Sequence, residues 1–314
     1  MSYRDRLPQL DGGMFLTDGG LETVLVFEEG LDLRAFASFP LLADEEGTRI
    51  LRRYYEPYGA LARERGLGFV LESPTWRASP RWAGELGYGD RELDALNRKA
   101  IALLEEIRAA WGTDVAPVVI SGCIGPQDDA YSPSTRLSAD AAQEYHATQI
   151  TTFADTAADM VSAITMTYPD EAIGITRAAA DVGLPVAISF TVETDGRLPV
   201  RQALGEAIQQ VDEATGSAPA YYLINCAHPT HFDDVLAGEE PWLQRIHGLR
   251  ANASTRSHAE LDEATELDDG DPADLGARYA SLRARHPQLN VLGGCCGTDH
   301  RHVQAIRDAC LAVG

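Results

Sequence analysis

Residues 159–191 read DMVSAITMTYPDEAIGITRAAADVGLPVAISFT. Two runs rich in apolar and β-branched residues, 159–167 (DMVSAITMT) and 185–191 (PVAISFT), flank a stretch of helical pattern at 170–181. Continuous apolar runs of this length suit strands buried on both faces, and a helical crossover between them makes the strands parallel. The same alternation extends outward in both directions. Six more strand candidates occupy 15–20 (FLTDGG), 68–73 (GFVLES), 117–122 (PVVISG), 221–226 (YYLINC), 248–253 (GLRANA) and 289–295 (LNVLGGC). Helical spacing covers 43–65, through Ile50, Leu51, Tyr54, Tyr58 and Leu61, and 90–110, through Leu93, Leu96, Ile101, Leu104 and Ile107. Ser138 caps another helix that runs through Tyr145, Ile150 and Phe153. Weaker helical patterns lie at 202–214 and 273–285, and 299–311 closes the chain. Between the sixth and seventh strands only the short pieces 232–236 and 242–246 stand out.

Eight strands alternating with helices predict an α/β fold, a (β/α)8 barrel that spans residues 1–314 as one domain. The competing doubly wound sheet carries a glycine-rich phosphate loop after its first strand. Here the first strand runs into DGGLET, which lacks that spacing. The acidic stretch 260–274 (ELDEATELDDGDPAD) is the one break in composition and reads as a solvated loop after the seventh strand, a candidate lid.

The chain has 26 Lys+Arg against 48 Asp+Glu among 314 residues, a formal charge of −22. Such a surface repels phosphate backbones and anionic lipid, so neither nucleic acid nor membrane is an expected partner. No apolar run is long enough to span a bilayer, and the opening MSYRDRLPQLDGG has no apolar leader core. A cytoplasmic location follows as the expectation, with the five cysteines as reduced thiols.

The chemical signal lies at the strand ends. Cys226 ends the sixth strand, and Cys295 and Cys296 end the eighth. In a barrel these ends share the face that carries active sites, and they approach each other across strand seven. Three thiolates with an open fourth position make a catalytic zinc site. Gly293, Gly294 and Gly297 let the backbone turn sharply, so neighbouring thiols can both face one ion. Cys123 and Cys310 read as small buried hydrophobes, although Cys123 ends the third strand. His228, His231, His300 and His302 are expected in solvent or at the pocket rim.

These residues resemble the homocysteine S-methyltransferase family. Asp18–Leu25 (DGGLETVL), Ser121–Pro126 (SGCIGP), Ile188–Thr191 (ISFT), Ile224–Cys226 (INC) and Gly293–Gly297 (GGCCG) are similar to its motifs. Asn252 resembles the asparagine that ends its seventh strand. The resemblance implies a (β/α)8 barrel and zinc held by Cys226, Cys295 and Cys296. It further implies methyl transfer from a sulfonium or ammonium donor to a thiol, homocysteine, giving methionine. Asp18, Gly19, Glu72, Asn225 and Asn252 are the expected substrate-binding residues.

One position departs from the family. Ile164, followed by Thr165, stands where the family has the glutamate that holds the homocysteine ammonium, and isoleucine cannot do this. Glu72 is an additional carboxylate at a strand end. It is either a replacement for that glutamate or one half of a loop salt bridge with Arg77, and Glu22 and Glu193 are weaker substitutes. Trp76, Trp82 and Tyr131 are candidates to hold a cationic donor over an aromatic face.

Overall fold

A computed structural model describes residues 2–131 and 133–313. Its strands are β1 (Phe15–Leu16), β2 (Gly68–Glu72), β3 (Val118–Ile124), β4 (Met160–Met166), β5 (Val186–Phe190), β6 (Tyr221–Asn225), β7 (Ile246–Ala251) and β8 (Val291–Gly294). They form a closed parallel barrel in chain order, with β8 returning to β1. Every residue of β2 to β6 is buried, which is why those strands read as unbroken apolar runs rather than alternating ones.

Around the barrel run α1 (Leu21–Phe27), α2 (Glu45–Arg65), α3 (Pro80–Leu86), α4 (Asp90–Trp111), α5 (Ala139–Ala154) and α6 (Pro169–Asp181). They are followed by α7 (Leu204–Thr215), α8 (Pro229–Phe232), α9 (His258–Asp262), α10 (Pro272–Arg285) and α11 (His300–Ala312). Caps set several starts: Asp44 accepts from the Gly47 N–H at 2.8 Å, and Ser138 from the Ala141 N–H at 3.3 Å. The bottom of the barrel is packed by Leu7, Phe15, Val70, Val119, Met160 and Tyr221. Below them Gln9 donates to Tyr221 Oη, and Asn290 donates to the Gln9 carbonyl.

Three local expectations change. β1 is only two residues long, because the chain leaves the barrel at Asp18 and Gly19 and turns at once into the short helix α1, which the sequence pattern did not separate from the strand. The acidic stretch is not all loop. Ser257 and Glu260 form a reciprocal cap that starts α9, and Asp271 caps α10. Finally, His302 is fully buried: its Nδ1 lies 3.0 Å from Asp299 Oδ1 and its Nε2 2.7 Å from the Asp269 carbonyl, so it ties α11 to the end of the acidic stretch.

Register positions the site. Asn225 pairs with Arg250, and Ala251 pairs with Gly294. Cys226 and Cys295 are each the next residue along their strands, so they emerge on either side of β7 with Cα atoms 5.4 Å apart. Glu72, the last residue of β2, pairs with Ser121 of β3.

Candidate active site

The strand ends open into a cavity of about 400 Å³. The sulfurs of Cys226, Cys295 and Cys296 all lie within 4.8 Å of one another. Cys226 and Cys295 are joined as a disulfide and Cys296 is free, its Sγ 3.9 Å from that of Cys226. The strand ends thus bring two of the five cysteine sulfurs into bonding range. Cys123 and Cys310 are buried thiols, and Cys123 also lines the cavity.

The backbone at this cluster is strained. Cys226 has φ 53° and Thr165 has φ 68°, left-handed values that cost a side-chain-bearing residue free energy unless neighbours enforce them. The neighbours are specific. The Cys226 carbonyl accepts from Asn252 Nδ2 at 3.0 Å and from His258 Nε2 at 2.5 Å. Asn225 Oδ1 accepts from the Thr165 N–H at 2.9 Å and from Ser189 Oγ at 2.6 Å, and its Nδ2 donates to Thr165 Oγ1 at 2.8 Å. Asn225 and Asn252 do not line the cavity. Their amides hold the strained backbone of the cluster, Asn252 at Cys226 and Asn225 at Thr165. His258 is a residue at the cluster that sequence reading did not single out. It lies in α9 and is buried, with Nδ1 3.2 Å from Glu193 Oε1. The cap sequence Ser257–Glu260 was its available signal.

The cavity floor is polar. Asp18 Oδ1 accepts from Arg250 Nη2 at 2.7 Å and Asp18 Oδ2 from Tyr54 Oη at 3.0 Å, yet burial still raises the Asp18 carboxyl above its ordinary value. Gly19 has to be glycine: a Cβ there would sit 2.6 Å from the Thr298 carbonyl oxygen and 2.8 Å from Tyr58 Oη. Glu72 is 6% exposed, and its Oε2 has no hydrogen-bond partner among the described residues. Burial pushes this carboxyl up to about 7, against the pull of Arg250. Glu72 is not paired with Arg77, whose guanidinium carbon lies 3.6 Å from the ring centroid of Trp82 and 4.4 Å from that of Trp76. Ile164 lines the same cavity, as does Glu22, whereas Glu193 is turned to His258.

The aromatic residues expected to meet a cationic donor are already engaged. Trp82 does not line the cavity, and Trp76 and Trp82 carry Arg77 on their faces. Tyr131 stacks on His258 at 4.1 Å, with its Oη 3.8 Å from Cys296 Sγ. The histidines expected in solvent or at the rim divide: His228 and His302 are buried, His231 is half-buried and His300 is exposed. Burial lowers His228 to about 4, so it is neutral at pH 7.

A parallel barrel that gathers three sulfurs at the ends of its strands, above a buried acid–arginine floor, defines an enzyme built around a sulfur site. The chain belongs to the homocysteine S-methyltransferase family, whose sequence profile matches residues 15–310, and it is a methyltransferase. No curated protein matches it. Among solved structures it is similar to the homocysteine methyltransferase MmuM from Escherichia coli. The oxidized form superposes with a TM-score of 0.71 at 17% identity, over 94% of this chain and 95% of that one. The metallated form gives 0.71 at 16% identity, over 95% and 96%. At such identities the likeness speaks for the fold.

Proposed function

We propose that the protein transfers a methyl group from a sulfonium or ammonium donor to a thiol, homocysteine in the first instance, at a zinc site made by Cys226, Cys295 and Cys296. The observation that carries this reading is the convergence of three sulfurs within 4.8 Å at the barrel mouth. The donor set fits zinc: three thiolates, with room on the cavity side for a fourth sulfur. The Cys226–Cys295 pair has to be reduced for it. When bound, the metal would keep an acceptor sulfur deprotonated at neutral pH. The acceptor sulfur then forms a bond to the donor methyl carbon while the methyl–onium bond breaks. Its electron pair stays on the leaving sulfide or amine, so the products are a thioether and a neutral leaving group.

The chain's own groups support the acceptor's placement. Asn252 and His258 hold the Cys226 backbone, Asn225 holds the neighbouring Thr165, Asp18 and Gly19 border the pocket, and Glu72 offers a free carboxylate oxygen to an ammonium where Ile164 cannot. The partners are thus small molecules. We place the enzyme in the cytoplasm, consistent with the reducing conditions the site needs; no described helix is long and apolar enough to cross a membrane. A second reading keeps the chemistry but changes the acceptor to a thiol or selenol without an ammonium group, which Ile164 favours. The test is metal content of the reduced protein together with an acceptor screen using S-methylmethionine, S-adenosylmethionine and betaine as donors. One zinc per chain and methionine formation support the reading. Absence of both removes it, which would leave a non-catalytic ligand-binding barrel.

A further inference from the structure

Each of the three clustered sulfurs faces a hydrogen-bond donor from a different part of the chain. Thr165 Oγ1 of β4 lies 3.9 Å from Cys226 Sγ, Asn225 Nδ2 of β6 lies 3.8 Å from Cys295 Sγ, and Tyr131 Oη of the β3–α5 loop lies 3.8 Å from Cys296 Sγ. The first two donors are shared with backbone work, since Asn225 Nδ2 also donates to Thr165 Oγ1 and Asn225 Oδ1 accepts from the Thr165 N–H. Tyr131 is placed differently. Its ring stacks on His258 at 4.1 Å with 22° between the planes, and His258 is fixed between the Cys226 carbonyl and Glu193. Its backbone N–H donates to Asp129 Oδ1 at 2.9 Å. Ring and backbone are both held, and the hydroxyl is presented to the one cysteine of the cluster that stands outside the disulfide. Tyr131 and Cys296 also line the cavity, so their contact borders the space an acceptor would enter.

We propose that Tyr131 is a positioning residue of the methyl transfer: its phenol donates to the Cys296 sulfur and, through that sulfur, sets how firmly the metal holds the acceptor as a thiolate. The inference rests on the zinc reading above. A metal-bound thiolate carries no proton, so in the loaded site the phenol is the donor of this contact and the sulfur the acceptor. Groups behind the ligands tune a metal site as much as the ligands do. Three thiolates around a divalent cation leave one net negative charge, and an acceptor thiolate adds a second. Glu22, Asp262, Glu266 and Asp268 line the same cavity and work in the same direction. A hydrogen bond to a thiolate draws electron density off the sulfur, which makes the metal a stronger Lewis acid towards the fourth ligand.

The experiment uses Tyr131→Phe in the reduced full chain, which keeps the ring on His258 and loses only the hydroxyl. With Co2+ loaded in place of zinc, the thiolate-to-metal charge-transfer absorption reports how strongly the sulfurs donate, and it needs neither acceptor nor turnover. Loss of the hydroxyl should move that absorption to longer wavelength, because a sulfur without its hydrogen bond gives up electrons more readily. In the zinc-loaded enzyme the dissociation constant and the KM for homocysteine should rise by about 3- to 10-fold, the size of one hydrogen bond, while the KM for the methyl donor stays unchanged. Tyr131→Leu loses ring and hydroxyl together, so it should show the same spectral shift and, in addition, faster trypsin cleavage after Arg256, which Tyr131→Phe leaves at the wild-type rate. An unmoved charge-transfer band in Tyr131→Phe overturns the proposal. So do equal rises in the KM for donor and acceptor, which mark a ring that merely shapes the cavity. Failure of the reduced wild type to take up Co2+ overturns this proposal and the zinc reading together. A wild type that binds the ion and a Tyr131→Phe spectrum identical to it remove only the role of Tyr131.

Discussion

A carboxyl group buried at a strand end, with one oxygen unbonded, is held half-protonated near neutral pH. Glu72 is in that state: burial lifts it from an ordinary 4.5 to about 7, with Arg250 of β7, Asp18 just after β1, Ser121 of β3 and Ser162 of β4 facing it. The sign follows from proton counting. Between these two values the unfolded chain has lost the proton and the folded chain keeps it. The contribution of Glu72 to stability is therefore full below about 4.5 and declines as pH rises towards 7, by at most about 3 kcal/mol. Glu72→Gln should flatten the Tm difference between pH 5 and pH 7. An ammonium ligand prefers the ionised form, so the KM for homocysteine should rise in the wild type as pH falls below 7. Glu72→Gln should weaken homocysteine binding by roughly 1.5–3 kcal/mol, and Ile164→Glu should tighten it. If neither variant alters homocysteine binding, the acceptor carries no ammonium at that place. The cysteines are tested at the same scale. Cys295→Ala and Cys296→Ala should lose most bound zinc by metal analysis, and stoichiometric zinc in Cys226→Ala would take Cys226 out of the site.

Among the elements, α9 connects the segment after β7 to the sulfur cluster through one side chain. His258 binds the Cys226 carbonyl, stacks on Tyr131 of the β3–α5 loop and faces Glu193 after β5. Three loops thus meet on one imidazole, and the strained Cys226 backbone is one of the things it holds. His258→Ala should free the segment, with trypsin cutting after Arg256 several-fold faster than in the wild type and His258→Asn falling between. An unchanged cleavage rate would show that the segment is held by its acidic caps instead. The short helix α8 and the brief turn at Pro241–Arg245 make a contrast: no full helix covers β6 on its way to β7.

At the scale of the whole molecule, the core does not depend on the sulfur site. The barrel strands and their surrounding helices form one continuous apolar cluster, and a second cluster fills the barrel bottom. Removing zinc with a chelator under reducing conditions should therefore abolish methyl transfer while shifting Tm only slightly. A large fall in Tm would mean that the metal holds the fold together, as in domains too small to build a core.

The order and number of the strands, and seven of the helices, were legible in the chain, because burial on both faces leaves strands as unbroken apolar runs and amphipathic helices keep their period. The three cysteines and Glu72 were legible too, since the end of a barrel strand is a position that alternation alone locates. Other features depend on which distant segments meet. His302 and His228 looked like surface residues, yet both are buried, His302 in the first turn of α11 and His228 as the cap of α8. The contacts of Asn225 and Asn252 came from strained Thr165 and Cys226 backbones that need amide partners, a condition with no local sequence signature. Arg77 offered a charge in the sequence, but only the placement of Trp76 and Trp82 on either side of it turned that charge from a salt-bridge partner for Glu72 into a stacked guanidinium in the cavity wall. Pattern along the chain reports burial, which is a property of each element. Pairing between side chains far apart in sequence is decided only when barrel closure fixes their distances.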